Sequence, residues 1–408
     1  MPYKMQNSRQ KFYSKCKMME TNVPPIWHQK AYSINAMRDM ARARLPNSIF
    51  DFADGGADDE TTLRQNESSF NQYTLMPRPL NGAQTRDLSV ELFGKRLNLP
   101  VIIGPTGLSG LFWPDGERET AKAAHAAGTA FCLSHGSTCT MEELATTDAT
   151  PRWMQVFIYK DRSFTQEFCD RAEAAGFDAL VLTIDNQIPS KRERDLRNGF
   201  TIPPSFGLSG YISMAMKYKW LWRMRNTLGT MTFGNYVRPG QASDLSALAA
   251  QMTELLDPGM TWADVEWLRK IWKKPLLIKG ILHPDDAAKA IELGVDGIIV
   301  SNHGGRQLEG AISSINALPD VIDQVDGQVP ILMDGGIRRG SDVVKALALG
   351  ATACLVGRPQ LWGVATAGQA GVERILDIYK REIDMAMGLC GASDISEITT
   401  DLIRRNTD

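Results

Sequence analysis

An α/β barrel of eight alternating strand–helix units is the fold class that the sequence predicts, and three observations carry it. Short apolar runs recur at 101–104, 130–133, 153–158, 179–184, 275–278, 297–300, 330–333 and 353–356. Runs of this length read as strands buried on both faces. Most are followed by a helix-like segment that ends in glycine. No Gly-x-Gly-x-x-Gly follows an early strand, which lowers the alternative of an open, doubly wound sheet. Eight such units close into a (β/α)8 TIM barrel.

The elements follow in chain order. Residues 1–25 carry Lys4, Arg9, Lys11, Lys15 and Lys17 with no apolar stretch, so they read as a disordered basic tail and not a secretory signal. Residues 26–98 read as a helical segment covering the barrel, 99–380 as the barrel, and 381–408 as a C-terminal helical tail. Within the barrel, Arg171 to Gly176 closes one helix and Asp285 to Gly294 forms another. A third starts at Ser341, a good N-cap residue, and stops at Gly350, a good residue for the position after the last turn. Between the fourth and fifth strands, 186–274 is far longer than an ordinary connection. Residues 196–243 of it hold no acid, and Lys217, Lys219, Arg223, Arg225 and Arg238 alternate with Tyr211, Tyr218, Trp220, Trp222 and Phe233. That pattern suits either a lid with buried aromatics or a segment lying on an anionic membrane surface.

Size and composition bound the function. At 408 residues the chain can bury a large core. Its net charge of -2 gives no reason to expect nucleic acid. No apolar run reaches the roughly 18–20 residues of a membrane-spanning helix. Cys16, Cys132, Cys139, Cys169, Cys354 and Cys390 are scattered, without C-x-x-C or metal spacing, as in a cytoplasmic protein with reduced thiols and no metal site.

Barrel chemistry sits at the C-terminal ends of the strands. Those ends carry Pro105-Thr106-Gly107, Ser134-His135, Gln155 and Phe157, Thr183 and Asp185, Lys279, His303 with Arg306, Asp334-Gly335-Gly336 with Arg338, and Gly357-Arg358. Polar and titratable residues gather there while the strands stay apolar. His303 and Arg306 leave one strand end three residues apart, across Gly304 and Gly305. An imidazole can take a hydroxyl proton and a guanidinium fork can hold a carboxylate, which is what oxidation of a 2-hydroxy acid requires. The two glycines allow a sharp turn and room for a flat ligand. Asp185 is placed to orient His303. The glycines and arginines of the last two ends form either a phosphate cradle or tight turns with surface charges. Of the other histidines, His28 precedes the barrel, His125 lies on a helix, His283 lies where a helix begins, and His135 could line the site.

These residues carry a resemblance. From about residue 51 to 398 the chain resembles the FMN-dependent L-2-hydroxy acid oxidase/dehydrogenase family, which includes glycolate and lactate oxidases, lactate dehydrogenases and mandelate dehydrogenases. The matching motifs are Ser301-Asn302-His303-Gly304-Gly305-Arg306-Gln307-Leu308, Asp334-Gly335-Gly336-Ile337-Arg338-Arg339-Gly340, Lys345 to Ala351, Val356-Gly357-Arg358-Pro359 and Gly104-Pro105-Thr106-Gly107-Leu108. The last of these, with Leu111-Phe112-Trp113-Pro114, is most similar to the mandelate dehydrogenase branch.

The resemblance implies FMN as cofactor, His303 as base paired with Asp185, and Arg306 and Arg192 as the carboxylate clamp. It implies Lys279 near the flavin N1–C2=O edge. Pro105, Thr106, Gly107, Ser134, Gln155 and Thr183 would contact the flavin ring, and Asp334 the ribityl chain. Gly335, Gly336, Arg338, Gly357 and Arg358 would hold the phosphate. It also implies a small-molecule substrate, a homotetramer, and an electron acceptor that is oxygen, a quinone or a carrier protein. Gly107 stands where many oxidases carry alanine, which points to a dehydrogenase. The membrane-associated mandelate dehydrogenases anchor through the long insertion, so peripheral contact at the inner face of a membrane is a second expectation for location. Two positions depart from the pattern. Phe52 and Phe157 stand where the family usually has tyrosines whose hydroxyls face the substrate. Three outcomes stay open: ordinary 2-hydroxy acid activity, a larger or more apolar substrate, and a flavin-binding protein with little turnover.

Overall fold

The computed structural model describes residues 26–200, 207–237 and 254–406. The expected basic tail and parts of the long insertion lie outside these residues. All eight predicted strands form, as β1 Val101–Ile103, β2 Phe131–Leu133, β3 Arg152–Val156, β4 Ala179–Thr183, β5 Leu276–Ile281, β6 Gly297–Val300, β7 Ile331–Asp334 and β8 Ala353–Val356. Each pairs in parallel with its chain neighbours, and β8 pairs with β1, so the sheet closes into a barrel in sequence order.

The strand side chains divide into two sets, as a period of two requires. Ile102, Cys132, Val181, Leu277, Ile299, Leu332 and Leu355 pack together. Leu92 and Leu97 join them from the antiparallel hairpin Val90–Leu92/Lys95–Leu97, which plugs one end of the barrel. The alternate set, including Val101, Ile103, Leu180, Leu182, Ile278 and Ile298, packs against the surrounding helices. Each such fully buried aliphatic side chain contributes about 1.5–3 kcal/mol. With one end plugged, the open end is left for chemistry.

The helices end where expected, at Gly176, Gly294 and Gly350, all with positive φ. One start differs. Helix Gly340–Ala348 has Arg339, not Ser341, at its N-cap. The Asp342 carboxylate accepts from the backbone N–H groups of Arg338 and Arg339, both at 2.9 Å, and so caps the helix two residues earlier than expected.

The predicted C-terminal division also changes. Residue 381 falls inside helix Arg358–Cys390, which kinks at Ala367 and Gly368. The tail is not helical throughout. It ends in strand Ile403–Arg405, antiparallel to Tyr73–Leu75, which lets Leu402 and Ile403 bury their side chains.

Candidate active site

A cavity of about 440 Å³ opens at the C-terminal ends of the strands. It is lined by every site residue expected from the sequence except Asp185: Phe52, Pro105, Thr106, Gly107, Ser134, Gln155, Phe157, Thr183, Arg192, Lys279, His303, Arg306, Asp334, Gly335, Gly336, Arg338, Gly357 and Arg358. Asp185 stands behind His303, with its Oδ1 2.8 Å from His303 Nδ1.

The loop after β6 builds the catalytic end. His303 has φ of +57°, followed by Gly304 at +64° and Gly305 at +71°. A left-handed histidine costs free energy, which the surroundings must hold in place. Ser301 Oγ accepts from the His303 backbone N–H at 3.0 Å. Asn302 accepts from Gly305 N–H and is paired reciprocally with Asn66 at 2.8 Å. The sharp turn is as predicted, but the space beside these glycines is not left for a ligand. A Cβ on Gly305 would lie 2.5 Å from Leu63 N, and one on Gly304 would lie 2.7 Å from the Arg358 guanidinium. The glycines admit the N-terminal segment and an arginine, which close the site.

Electrostatics prepare His303 as a base. Burial lowers its pKa, opposed by Asp185 and reinforced by Lys279, so the imidazole is neutral at neutral pH. Burial works against the Asp185 carboxylate, but His303 and Lys279 outweigh it and hold its pKa below the usual range. An ionised Asp185 accepts from Nδ1–H and leaves the Nε2 lone pair of His303 free.

Lys279 Nζ is 2.9 Å from Asp334 Oδ2 and 2.7 Å from Ser301 Oγ. Burial opposes its charge, but Asp334 and Asp185 keep its pKa above the ordinary lysine value. A fixed cation therefore sits at the floor of the cavity.

Four arginines face the same space. Arg306 donates to Gly55 O at 2.8 Å and lies over the Phe52 ring. Its pKa is pushed well down by burial and then by Arg192 and Arg358. Arg192 reaches only Gln307 Oε1, at 3.4 Å, and its Nε has no partner. Neither Arg306 nor Arg192 forms an ion pair among the described residues. Two guanidiniums that feel Asp195 but have no carboxylate at ion-pair distance among the described residues can take an anion. Arg358 is held by the carbonyls of Gly304 and Gly55, at 2.8 and 2.7 Å. Burial and Arg338 push its pKa down to about 10. Arg338 has a partner that the sequence did not reveal, Glu67 at 2.8 Å.

The remaining groups fit a flavin mononucleotide. Thr183 Oγ1 and Asp334 Oδ1 are buried on the cavity wall with no hydrogen-bond partner among the described residues. Buried polar atoms of this kind need a ligand to satisfy them, and a flavin ring and ribityl chain carry matching groups. The turn at Gly335 and Gly336, with φ of +99° and +79°, packs so closely that a Cβ on Gly336 would lie 1.9 Å from Asn66 O. That turn, Gly357, Arg338 and Arg358 line one end of the cavity and would suit a phosphate.

The sequence did not single out several contributors. Asp195, Phe200 and Leu256 come from the long insertion and line the cavity beside Phe233, one of the aromatics that the lid reading would bury. Burial raises the Asp195 pKa, against the pull of Arg306 and Arg192. Glu117 is fully buried and accepts from Ser109 N, Thr138 N and Thr138 Oγ1, tying the loop after β1 to that after β2. Asp54 joins Arg38, at 2.5 and 2.6 Å, to Arg194 at 3.0 Å and so anchors the helix Asn47–Asp54 that carries Phe52. These partners lie from 8 to 140 residues apart with no common period, so spacing could not have found them.

A closed barrel with an Asp–His pair, unpaired guanidiniums and unsatisfied polar groups at its mouth has the form of a flavin-dependent oxidoreductase acting on small hydroxy acids. The chain belongs to the FMN-dependent dehydrogenase family, whose model matches residues 41–405. It is 42% identical over 369 residues to an L-lactate dehydrogenase of Alcaligenes faecalis, covering 90% of this chain and 97% of that protein. It is 39% identical to 2-Hydroxyacid oxidase 1 of Homo sapiens over 377 residues, covering 91% and 96%. Among solved structures it is similar to the monotopic membrane protein (S)-mandelate dehydrogenase, with a TM-score of 0.88, 37% identity and coverage of 92% and 99%. A mandelate oxidase matches with a TM-score of 0.78 and 35% identity, covering 90% of this chain and 96% of that one. The cofactor is FMN, and the activity is FMN-dependent oxidation of a 2-hydroxy acid.

Proposed function

We propose that the chain oxidises an L-2-hydroxy acid with an aromatic or bulky apolar substituent to the 2-oxo acid, as a dehydrogenase. One observation carries this reading: His303, backed by Asp185, faces the same cavity as two guanidiniums that form no ion pair among the described residues. Arg306 and Arg192 bind the substrate carboxylate bidentately and fix the C2 hydroxyl against His303. His303 Nε2 takes the hydroxyl proton as the C2=O bond forms, and Asp185 stabilises the imidazolium. FMN, when bound, supplies the acceptor for the C2 hydrogen at N5. Pro105, Thr106, Gly107, Ser134, Gln155, Thr183 and Lys279 would hold its ring, Asp334 its ribityl chain, and Gly335, Gly336, Arg338, Gly357 and Arg358 its phosphate. The buried Lys279 ammonium would offset negative charge arriving on the ring.

Substrate preference rests on the apolar lining of the cavity. Phe52, beneath Arg306, packs tilted against Phe200 with centroids 5.0 Å apart, and Phe157, Phe233 and Leu256 complete an apolar surface. Phenylalanine at 52 and 157 supplies area without hydroxyls. Anaerobic bleaching of bound FMN by L-lactate and L-mandelate tests the preference. Mandelate should exceed lactate in kcat/KM by at least about tenfold, since each added buried CH2 equivalent is worth about 0.8 kcal/mol. Equal rates would refute it.

A second reading concerns location, and the insertion supports it. Helices Leu208–Met216 and Tyr218–Met224 bury Trp220 and Met224 and leave Ile212, Met216, Tyr218 and Trp222 exposed. Arg223 stacks on Trp113 and Lys217 caps the carbonyls of Arg42 and Ala43, while Lys219 and Arg225 face outward. An apolar surface flanked by cations suits an anionic membrane face. Among the described residues, no helix is long and apolar enough to cross a membrane. A quinone is then the natural electron acceptor. Trp222→Glu should abolish pelleting with anionic vesicles while leaving FMN content unchanged; retained pelleting would refute the reading.

A further inference from the structure

The mechanism above leaves one cavity-lining histidine unused. His135 follows Ser134 at the end of β2, four places around the eight-stranded barrel from β6, which carries His303. The two histidines therefore face each other across the mouth. The base and the clamp arise from the loops after β4 and β6, so the side of the mouth at β2 receives whatever the substrate carries on C2.

The orientation of His135 is set by two tyrosines. Its Nδ1 lies 2.5 Å from Tyr236 Oη, which lies 2.5 Å from Tyr159 Oη. Its ring is held edge-on to Phe157, with centroids 4.3 Å apart. Three donors, two phenol O–H groups and one imidazole N–H, compete for two hydrogen bonds. If Nδ1 carried the proton, Tyr236 would donate onward and the fully buried Tyr159 would keep an O–H with no acceptor. Such an orphan costs about 1–3 kcal/mol. If Tyr159 donates to Tyr236 and Tyr236 to Nδ1, both phenols are satisfied and the proton is on Nε2. That atom has no partner among the described residues. Burial, and then His303, push the pKa of His135 down to about 3, so it donates as a neutral group.

We propose that His135 is a specificity-determining residue, donating a hydrogen bond from Nε2–H to an acceptor atom on the C2 substituent of the substrate. This rests on the 2-hydroxy acid reading above. The surroundings narrow the chemistry: Phe157, Phe233 and Leu256 are apolar and the donor is uncharged, which favours a neutral acceptor such as a ring nitrogen, ether or carbonyl over a second carboxylate. The substrate class is thus an aryl or bulky 2-hydroxy acid with one neutral acceptor at its far end.

The test uses the FMN-loaded enzyme and near-isosteric 2-oxo acids, phenylglyoxylate and its three pyridyl analogues, with binding read from the flavin absorbance. For at least one pyridyl isomer, the affinity relative to phenylglyoxylate should fall about tenfold in His135→Phe, the size of one hydrogen bond, and be partly restored in His135→Gln. Tyr236→Phe, which removes the group that sets the proton on Nε2, should weaken the same isomer selectively. The phenyl compound is the internal control for folding in each variant. Unchanged ratios for all three isomers would overturn the proposal. So would an equal loss for phenyl and pyridyl compounds, which would put His135 against the oxygens they share. Because binding needs no turnover, a failure of 2-hydroxy acids to bleach the flavin would refute the reaction while leaving this discrimination measurable.

Discussion

Asp185→Asn separates the charge of the His303 partner from its shape. Asp185 Oδ1 lies 2.8 Å from Nδ1, and both groups are buried. When His303 takes the substrate proton, the new imidazolium faces a carboxylate. At a separation of about 4 Å between charge centres and an effective dielectric of about 20, that attraction is about 4 kcal/mol. An asparagine amide also presents N–H to Nδ1, which draws the imidazole proton to Nε2 and removes the lone pair that acts as base. At about 1.4 kcal/mol per decade, the rate of FMN reduction should fall by about 10³-fold. The pH profile supplies an independent sign. His303 must be neutral to act, so activity is lost as pH falls through its pKa. Burial and Lys279 depress that pKa and Asp185 raises it, so the wild-type acid limb lies below about 6.5 and the variant limb lower still. Anaerobic stopped-flow reduction across pH measures both effects. A loss below tenfold, or a limb that moves upward, would refute the reasoning.

Other substitutions probe the frame. Gly305→Ala forces a Cβ to within 2.5 Å of Leu63 N at φ of +71°, so it should lower thermal stability and FMN content together, measured by melting and by flavin absorbance. Asp54→Asn leaves Arg38 and Arg194 without their shared carboxylate and should cost about 3 kcal/mol of stability, read as a lower urea midpoint. Burial works against the Asp54 carboxylate, but Arg38, Arg358 and Arg194 outweigh it and lower its pKa. Its contribution is therefore present above the ordinary carboxylate range and lost as pH falls through the depressed value, a slope that the asparagine variant should flatten.

The barrel was legible because its signals are local. Eight apolar runs, each with a polar or glycine end, locate the strands and hence the mouth, and the strand ends brought almost every expected residue to one cavity. What was not legible depends on distance in sequence. The Asp54 network, the Glu67 partner of Arg338 and the Glu117 brace join residues that no periodicity relates. The Tyr159–Tyr236–His135 chain is of the same kind: Tyr159 follows β3 and Tyr236 lies in the insertion, so neither marks its partner. The glycines of the His303 loop show a subtler limit. Their conformation follows from residue type, but what fills the space beside them does not. The helix start at Gly340 was misplaced because Asp342, two residues inside the first turn, outcompetes Ser341 as the cap.

The central claim is that Arg306 and Arg192 hold a substrate carboxylate so that His303 can take the proton of the adjacent hydroxyl. Anaerobic reduction of the bound FMN by L-mandelate, compared with L-mandelamide and D-mandelate, tests it most directly. Rapid bleaching by L-mandelate is expected, with at least about 10²-fold slower bleaching by the amide, which lacks the charge that the two guanidiniums require, and by the D-enantiomer, whose hydroxyl faces away from His303. Bleaching by the amide at the rate of the acid would contradict it.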